Sequence, residues 1–542
     1  MTLWKHLAIG VACSFLLFSC ESPQVKPTPR ITTEIPLNSG QPKILSLTDL
    51  GGLPLTVGGD IPTAFSDGRY SPGEWVMLNG KNLGVSELSV NGHTQKISYF
   101  YKGQPLLRLP TGMAPLHEQT ISVSHAQGTA AIKFNSSHYI VATDTDGKKR
   151  HLIRTNPNEN GGVEEEWITL ESDAERPLFT LVSQNSAYFF TVNIAERVAE
   201  DNSKEANAYV MDIRTFHAAA PNAPQLLKQI SVVVDSSPID AVISSDDEII
   251  ILGKRSFTVV DATNPVALKE KKRVWLEPSG LEKTTYVDVI YFNNNRSIAL
   301  LETYSNQVSI FDTKDYLKQE TVNLLPDKSI ALSVDLEPNP KNTRQFWALL
   351  GPNYRLTGTK MVEQYKRWIK HQDTPPDRQS VHQLVILEWQ DQKLSEGLRY
   401  NLDSDYAAYF AKTDEQGDVV ITTTKLKFLT SPLNTSSKTD MLKLSKSILW
   451  DALSFGRVVK VDAETGRMTT LASGVGIYYD FECVPDIGPV FSLMKFGPSF
   501  SMPFITPNWG VGIKSTGTYA KRKMNKYSVF PPYSIGHIAY QR

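Results

Sequence analysis

Between residues 42 and 135, apolar and polar positions alternate in short runs, and no run keeps a helical period. Pro42–Leu47, Gly73–Gly84, Leu88–Gly92, Leu107–Pro110 and Ile121–Ser124 read as strands parted by turn residues. Asn-Gly pairs at 79–80 and 91–92 suit tight turns that need positive φ. The region is predicted to be all-β.

From about residue 138 the pattern lengthens. Five strands end in apolar residues followed by an acid and a turn: Tyr209–Asp212, Phe257–Asp261, Val308–Asp312, Leu384–Glu388 and Val458–Asp462. Their acids stand 49, 51, 76 and 74 residues apart. A period near 50 with several strands per unit predicts propeller blades. Asp144–Gly147 is read as opening a similar hairpin earlier, and Trp509–Ile513 as the third strand of another blade. That makes seven blades, with six as the alternative. The first and last strands are expected to share one blade, because an unclosed edge invites aggregation.

The two long intervals exceed the short ones by about 25 residues each. With strands labelled a to d from the axis outward, both extras are b–c connections on neighbouring blades, near 353–382 and 425–456. In the first, Met361, Val362, Tyr365, Trp368 and Ile369 fall on one helical face, with Lys360, Lys366, Arg367 and Lys370 around it. In the second, Ser437 or Thr439 can cap a helix carrying Met441, Leu444, Ile448 and Leu449. Two further b–c connections, Ala195–Asn207 and Pro498–Asn508, are also expected to be long. All b–c connections share one rim, so this rim is the candidate binding surface: Lys360, Arg367, Trp368, Trp450, Phe500, Phe504 and Trp509. The helices either merely cover the propeller or form a lid or docking surface.

The chain opens with a short charged start, an apolar run from Leu7 to Phe18, and Ser19-Cys20. That pattern describes a secretory signal over residues 1–19. The run falls short of the ~20 residues a membrane span takes. Leu17-Phe18-Ser19-Cys20 resembles the lipobox of bacterial lipoproteins. The resemblance implies that Cys20 becomes the lipidated first residue of the mature chain, anchoring it to a membrane. The expected address is the bacterial cell envelope, at the outer membrane, on its periplasmic or surface face. Residues 20–41 are rich in Pro, Ser and Thr and read as an extended tether. Of the three cysteines, Cys13 leaves with the signal and Cys20 carries lipid, so Cys483 is expected as a small buried hydrophobe.

The strand ending in Gly80-Lys-Asn-Leu-Gly84, the Leu88–Gly92 hairpin and the Leu107–Pro110 strand together resemble an IPT/TIG domain. The connection from Asp49 to Pro72 is longer than usual for that family. The resemblance implies an immunoglobulin-like sandwich over 42–135, serving as spacer or binding module without catalysis. Asp261-Ala-Thr-Asn-Pro265 and Asp462-Ala-Glu-Thr-Gly466 resemble hairpins of YVTN-type and LVIVD-type bacterial propellers. The expected fold class is therefore all-β: a sandwich, then a propeller over 138–542 with short helical insertions.

Composition and chemistry narrow the function. Lys+Arg 56 against Asp+Glu 57 leaves a formal charge of −1, without the basic surplus of a nucleic-acid binder. The histidines form no H-x-H, H-x-x-H or H-E-x-x-H, so no local zinc site and no cofactor are encoded. There is no G-x-S-x-G, Walker loop or G-x-G-x-x-G. Asp144-Thr-Asp-Gly147 resembles a calcium loop, but Thr155 stands at the twelfth position, and a turn is expected. The basic runs Lys269–Arg273 and Lys521–Lys523 are expected on solvent-facing outer strands. The leading expectation is a non-catalytic binding or scaffold lipoprotein that meets an envelope protein or glycan through its decorated face. In architecture it resembles propeller lipoproteins that assist outer-membrane assembly. The alternatives are a lactonase-like or other hydrolase with its site in the axial channel, and a carbohydrate or cell-surface adhesin. A hydrolase predicts an acid- or His-lined channel; a scaffold predicts an apolar or capped one.

Overall fold

A computed structural model of the chain describes residues 29–540 apart from 63–65, 67, 111–112, 114–117, 145–149, 158–162, 171–176, 184–187, 200–206, 218–225, 237, 277–285, 303–305, 325–328, 331, 352–378, 381, 404–405, 426–455, 475–476, 485–487, 502–503 and 516–534. Residues 43–135 form two four-stranded antiparallel sheets. One holds Lys43–Gly51, Trp75–Lys81, Gln104–Arg108 and Tyr99–Tyr101 in that order; the other holds His93–Lys96, Glu87–Val90, Glu118–His125 and Gly128–Asn135. Alternation along the strands turns Val76, Leu78, Leu88, Val90, Leu107, Ile121 and Val123 inward to a shared core. Two layers around one core make this unit a sandwich.

The glycines of the Gly80–Gly84 motif have a steric reason. A Cβ on Gly80 would stand 2.0 Å from the Lys43 carbonyl oxygen, and one on Gly84 1.9 Å from that of Pro36. Between them Asn82 takes φ 55°, a region Asn tolerates better than most residues. Its carboxamide accepts the Ser39 N–H at 3.0 Å and donates to the Gln41 carbonyl at 3.0 Å. Asn38 exchanges two 2.8 Å hydrogen bonds with Gly84. The motif clamps the incoming chain. Consequently the stretch expected to be a free tether up to residue 41 is bound from Ile31 on: Ile31 is buried, and its N–H reaches the Gly59 carbonyl at 2.9 Å.

Beyond residue 135 the described chain forms a two-stranded parallel sheet, which joins Ser329–Ile330 to Gln379–Ser380, and seven antiparallel sheets in a ring. Six have four strands; the seventh, Ile477–Val484, Gly488–Ser501 and Phe504–Ser515, has three among the described residues. The innermost strands are Pro177–Val182, Asp240–Ile243, Tyr286–Phe292, Leu332–Pro338, Tyr406–Thr413 and Ile477–Val484 in blades 2 to 7. Blade 1 is composite. Its strands b, c and d are His138–Asp144, Arg150–Pro157 and Val163–Leu170, while its innermost strand is Ile535–Tyr540 from the far end of the chain. Each innermost strand touches the next around the full circle. The chain therefore contains a closed seven-bladed β-propeller, with the expected sharing of one blade.

Apolar wedges hold the blades together. Leu301, Val308 and Ile310 of blade 4 pack with Phe346, Val385 and Leu387 of blade 5. Blades 5 and 6 meet through Trp347, Leu349 and Leu384 against Val419 and Ile421. Cys483 is a buried thiol outside any disulfide, packed with Phe410, Val458 and Phe481, as expected. The acids at 212, 261, 312 and 388 lie on third strands, and Asp462 follows one. Asp144 does not share that place. It ends strand b of blade 1, paired with Ile535, because the last strand rather than His138–Asp144 is innermost.

The b–c connections differ from expectation in blades 2 and 7. Pairing runs to Ala199↔Asn207 and to Ser501↔Phe504, so the start of the first stretch expected as a loop and most of the second are hairpin ladder. The two larger insertions fall between Gln345–Gly351 and Gln383–Gln390 and between Val419–Lys425 and Gly456–Val461, and the helices expected there lie outside the described residues. Among the described residues there is no helix. Lys269–Trp275 is the exposed outermost strand of blade 3, as expected for its basic run; Lys521–Lys523 lies outside the described residues. Leu53, in the long connection of the sandwich, packs against the cluster of Leu181, Tyr188 and Phe190. Tyr70 bridges Ser136, so the sandwich sits against the a–b side of blade 2.

Candidate functional site in the axial channel

Seven innermost strands surround an axial cavity of about 370 Å³. Its lining includes carboxylates from four blades: Asp240, Asp288, Asp335 with Glu337, and Asp480 with Glu482. Blade 6 contributes a cation, Lys412. The channel is thus acid-lined, not apolar.

Three of the aspartates join neighbouring blades. Asp240 accepts the main-chain N–H of Val289 at 3.1 Å, Asp288 that of Leu336, and Asp335 that of Ala411 at 2.6 Å. Each is buried. Register breaks between Tyr286 and Asp288 and between Ser333 and Asp335 interrupt the ladder just before the acid, the kind of bulge that re-aims a side chain. These carboxylates satisfy donors that would otherwise be buried without partners.

The chemistry concentrates at the next positions along the strands. Glu337, Lys412 and Glu482 project from three successive blades. One oxygen of Glu337 accepts the Thr413 N–H at 3.1 Å and its hydroxyl at 3.2 Å. The other lies 3.7 Å from the Lys412 Nζ, which stands 3.8 Å from Glu482 on the opposite side. Both gaps exceed hydrogen-bonding range and suit a bridging water or ligand hydroxyl. Lys412 keeps 28% of its side-chain surface accessible. Burial pulls its pKa down, but attraction by Glu337, Glu482, Asp480 and Asp335 outweighs this and the net shift is upward. Lys412 is a fixed positive charge, not a proton shuttle.

These residues stand toward the a–b end of their strands, and Ser244, Ser245, Asn295 and Pro338 line the same cavity. On that rim Asn293, Asn294 and Asn295 hold three consecutive positive φ values of 54°, 54° and 61°. Asn295 donates to Asp246 of blade 3 at 3.1 Å, fixing the corner. The cavity therefore reaches the face opposite the b–c connections.

A second hollow, about 20 Å³, lies between blades 5 and 6 beside His382, Asp403, Tyr406 and Arg457. Arg457 stacks 3.7 Å over the Tyr406 ring and reaches Asp403 at 3.2 Å. That volume holds about one water and no larger ligand. Among the described residues, no group of three or more His, Cys, Asp or Glu is placed to hold a metal ion.

Of the candidate surface residues, Lys360, Arg367, Trp368 and Trp450 lie outside the described residues, as does Cys20. Phe500, Phe504 and Trp509 lie on the long blade 7 hairpin, whose backbone pairs Phe500 with Ile505, Phe504 with Ser501 and Trp509 with Phe496. The channel residues were missed from sequence. Their signal was an Asp on each of four innermost strands, at 240, 288, 335 and 480, followed two residues later by Glu in blades 5 and 7.

No family model matches the chain, and no curated protein matches it. Solved structures do. A 6-phosphogluconolactonase-like protein from Bacteroides uniformis is 10% identical over 74% of this chain and 99% of its own, with a TM-score of 0.45. The periplasmic gluconolactonase of Pseudomonas aeruginosa is 10% identical over 75% and 99%, also at 0.45. The Swd1 β-propeller domain of Myceliophteria thermophila is 10% identical over 66% and 92%, at 0.38. Likeness at this level says nothing of activity.

Proposed function

We propose that this chain is a lipid-anchored protein of the bacterial cell envelope that binds a small polar ligand in the axial channel of its propeller. Cys20 carries the anchor, and residues 42–135 act as an IPT/TIG-like spacer. The observation that supports the site is the Lys412 ammonium between Glu337 and Glu482, at 3.7 and 3.8 Å, in an open cavity of about 370 Å³. That volume falls in the about 300–1,000 Å³ range of ligand pockets. Alternating donors and acceptors around it match a ligand with several hydroxyl groups. The acidic surplus disfavours an anion. A scaffold acting only through the decorated b–c face leaves this arrangement without a role.

The convergence of carboxylates also favours a second reading, a hydrolase of sugar lactones or related esters. Glu482 or Glu337 would activate water while Lys412 stabilises developing negative charge. One experiment separates the readings. The purified protein and its Lys412→Met and Glu482→Gln variants are screened by thermal shift and by acid release against sugars, polyols and sugar lactones. A wild-type shift lost in both variants without turnover supports binding; turnover lost in Glu482→Gln moves the assignment to hydrolysis. Neither response in the wild type rejects the channel as a small-molecule site.

A further inference from the structure

We infer that the end of the sandwich remote from the propeller is a docking surface for an anionic lipid bilayer. The inference rests on the proposed acylation of Cys20. Strand Trp75–Lys81 starts beside Glu74, whose charge reaches Tyr188 of blade 2. It ends at Lys81, on the far side of the unit. Three segments meet there. Lys81 pairs with Lys43 across the strands. Asn38 and Ser39 bond Gly84 and Asn82. Pro36 packs within 3.8 Å of where a Gly103 Cβ would stand, at the hairpin tip carrying Lys102.

This end exposes what water disfavours. Leu37 is 99% exposed, Leu45 58% and Ile35 51%. Lys43, Lys81 and Lys102 are exposed beside them, with Glu34 as the one acid of the segment 29–42. Apolar side chains rimmed by cations fit the headgroup layer of an anionic membrane. Chain length is compatible with the same occupant. Ten residue steps lead from Cys20 to Arg30, and at most ~3.5 Å per step gives a leash of about 35 Å. The clamp begins at Ile31, which packs with Leu50 and Leu106 nearer the propeller. Seven residues of at most ~3.5 Å carry the chain about 25 Å from there to Asn38, so the leash is long enough for an acylated Cys20 to let this end meet the membrane.

The test uses the unacylated mature chain with Cys20→Ser, so that the surface is read without the anchor. Flotation compares phosphatidylcholine vesicles with vesicles containing 30% phosphatidylglycerol at ~0.1 M salt. Binding should depend on the anionic lipid and weaken at 0.5 M salt, because exposed charges are screened. Each lysine near such a surface contributes about fivefold, so Lys43→Glu, Lys81→Glu and Lys102→Glu together should lower partitioning at least 100-fold. Ile35→Asp with Leu37→Asp should lower it about tenfold. All five positions are exposed, and unchanged melting temperatures verify the fold. Binding indifferent to phosphatidylglycerol, or unaltered in both variants, overturns the inference. Acylation is read separately, by membrane fractionation of cells making wild type or Cys20→Ala; its failure with vesicle binding intact removes the anchor and leaves the surface.

Discussion

Asp335 of blade 5 accepts the main-chain N–H of Ala411 in blade 6 at 2.6 Å, so a side chain supplies the hydrogen bond that two unconnected innermost strands do not make for each other. Asp335→Ala should cost about 2 kcal/mol, the usual range for an unpartnered buried donor. Asp335→Asn, which keeps an acceptor, should cost less than half of that. Chemical denaturation measures both. Equal losses would show that charge, and not the hydrogen bond, is what matters there.

Lys412 gives an alkaline signature. Its folded pKa is raised, so its stabilising contribution is complete below the unfolded value of about 10.4 and fades as pH climbs toward the folded one. The stability difference between wild type and Lys412→Met should be constant from pH 6 to 9 and shrink only above pH 10.4. A difference that drifts between pH 7 and 9 would place a titrating lysine in the channel instead.

His382 should act at the other end of the scale. Burial lowers its pKa, partly offset by a hydrogen bond that the ring donates to the Tyr406 backbone and by the charge of Asp403. The neutral ring is favoured in the fold, so stability present above the unfolded value of about 6.5 is lost as pH falls through the lower folded value. Melting temperatures between pH 7 and 5 should fall more steeply for wild type than for His382→Gln. Parallel slopes would exclude His382 as the source.

Gly84→Ala should loosen the clamp on the incoming chain, because its Cβ would stand 1.9 Å from the Pro36 oxygen. Overpacking of this kind costs about 1–3 kcal/mol. Ile31 would then be exposed more often, and trypsin should cut after Arg30 faster than in wild type. An unchanged cleavage rate would mean that the Asn38 and Asn82 hydrogen bonds hold the segment unaided.

The blades were legible from sequence because an acid recurs on or just after each third strand from Asp212 to Asp462, at intervals near 50 lengthened twice by an insertion. Closure was legible from the cost of an open edge. The channel was not. Lys412 sits in Tyr406–Thr413, a strand otherwise read for its apolar content, and its partners stand 75 and 70 residues away in the chain. Only the ring brings positions 337, 412 and 482 together. The longest connections also stand on the b–c face, while the cavity reaches the opposite one. Asp144 departs from the third-strand place for a related reason: a strand closing its blade from the other end of the chain shifts every strand of blade 1 by one place.

The composite first blade also sets a schedule. Its innermost strand, Ile535–Tyr540, pairs with His138–Asp144 from about 390 residues earlier. Contacts of such sequence separation form slowly. If the chain is exported in sequence order, six blades and their unshielded edges must wait, outside any finished ring, for the arrival of a single six-residue strand. Protection of those edges during that interval is a requirement placed on the cell by the topology alone.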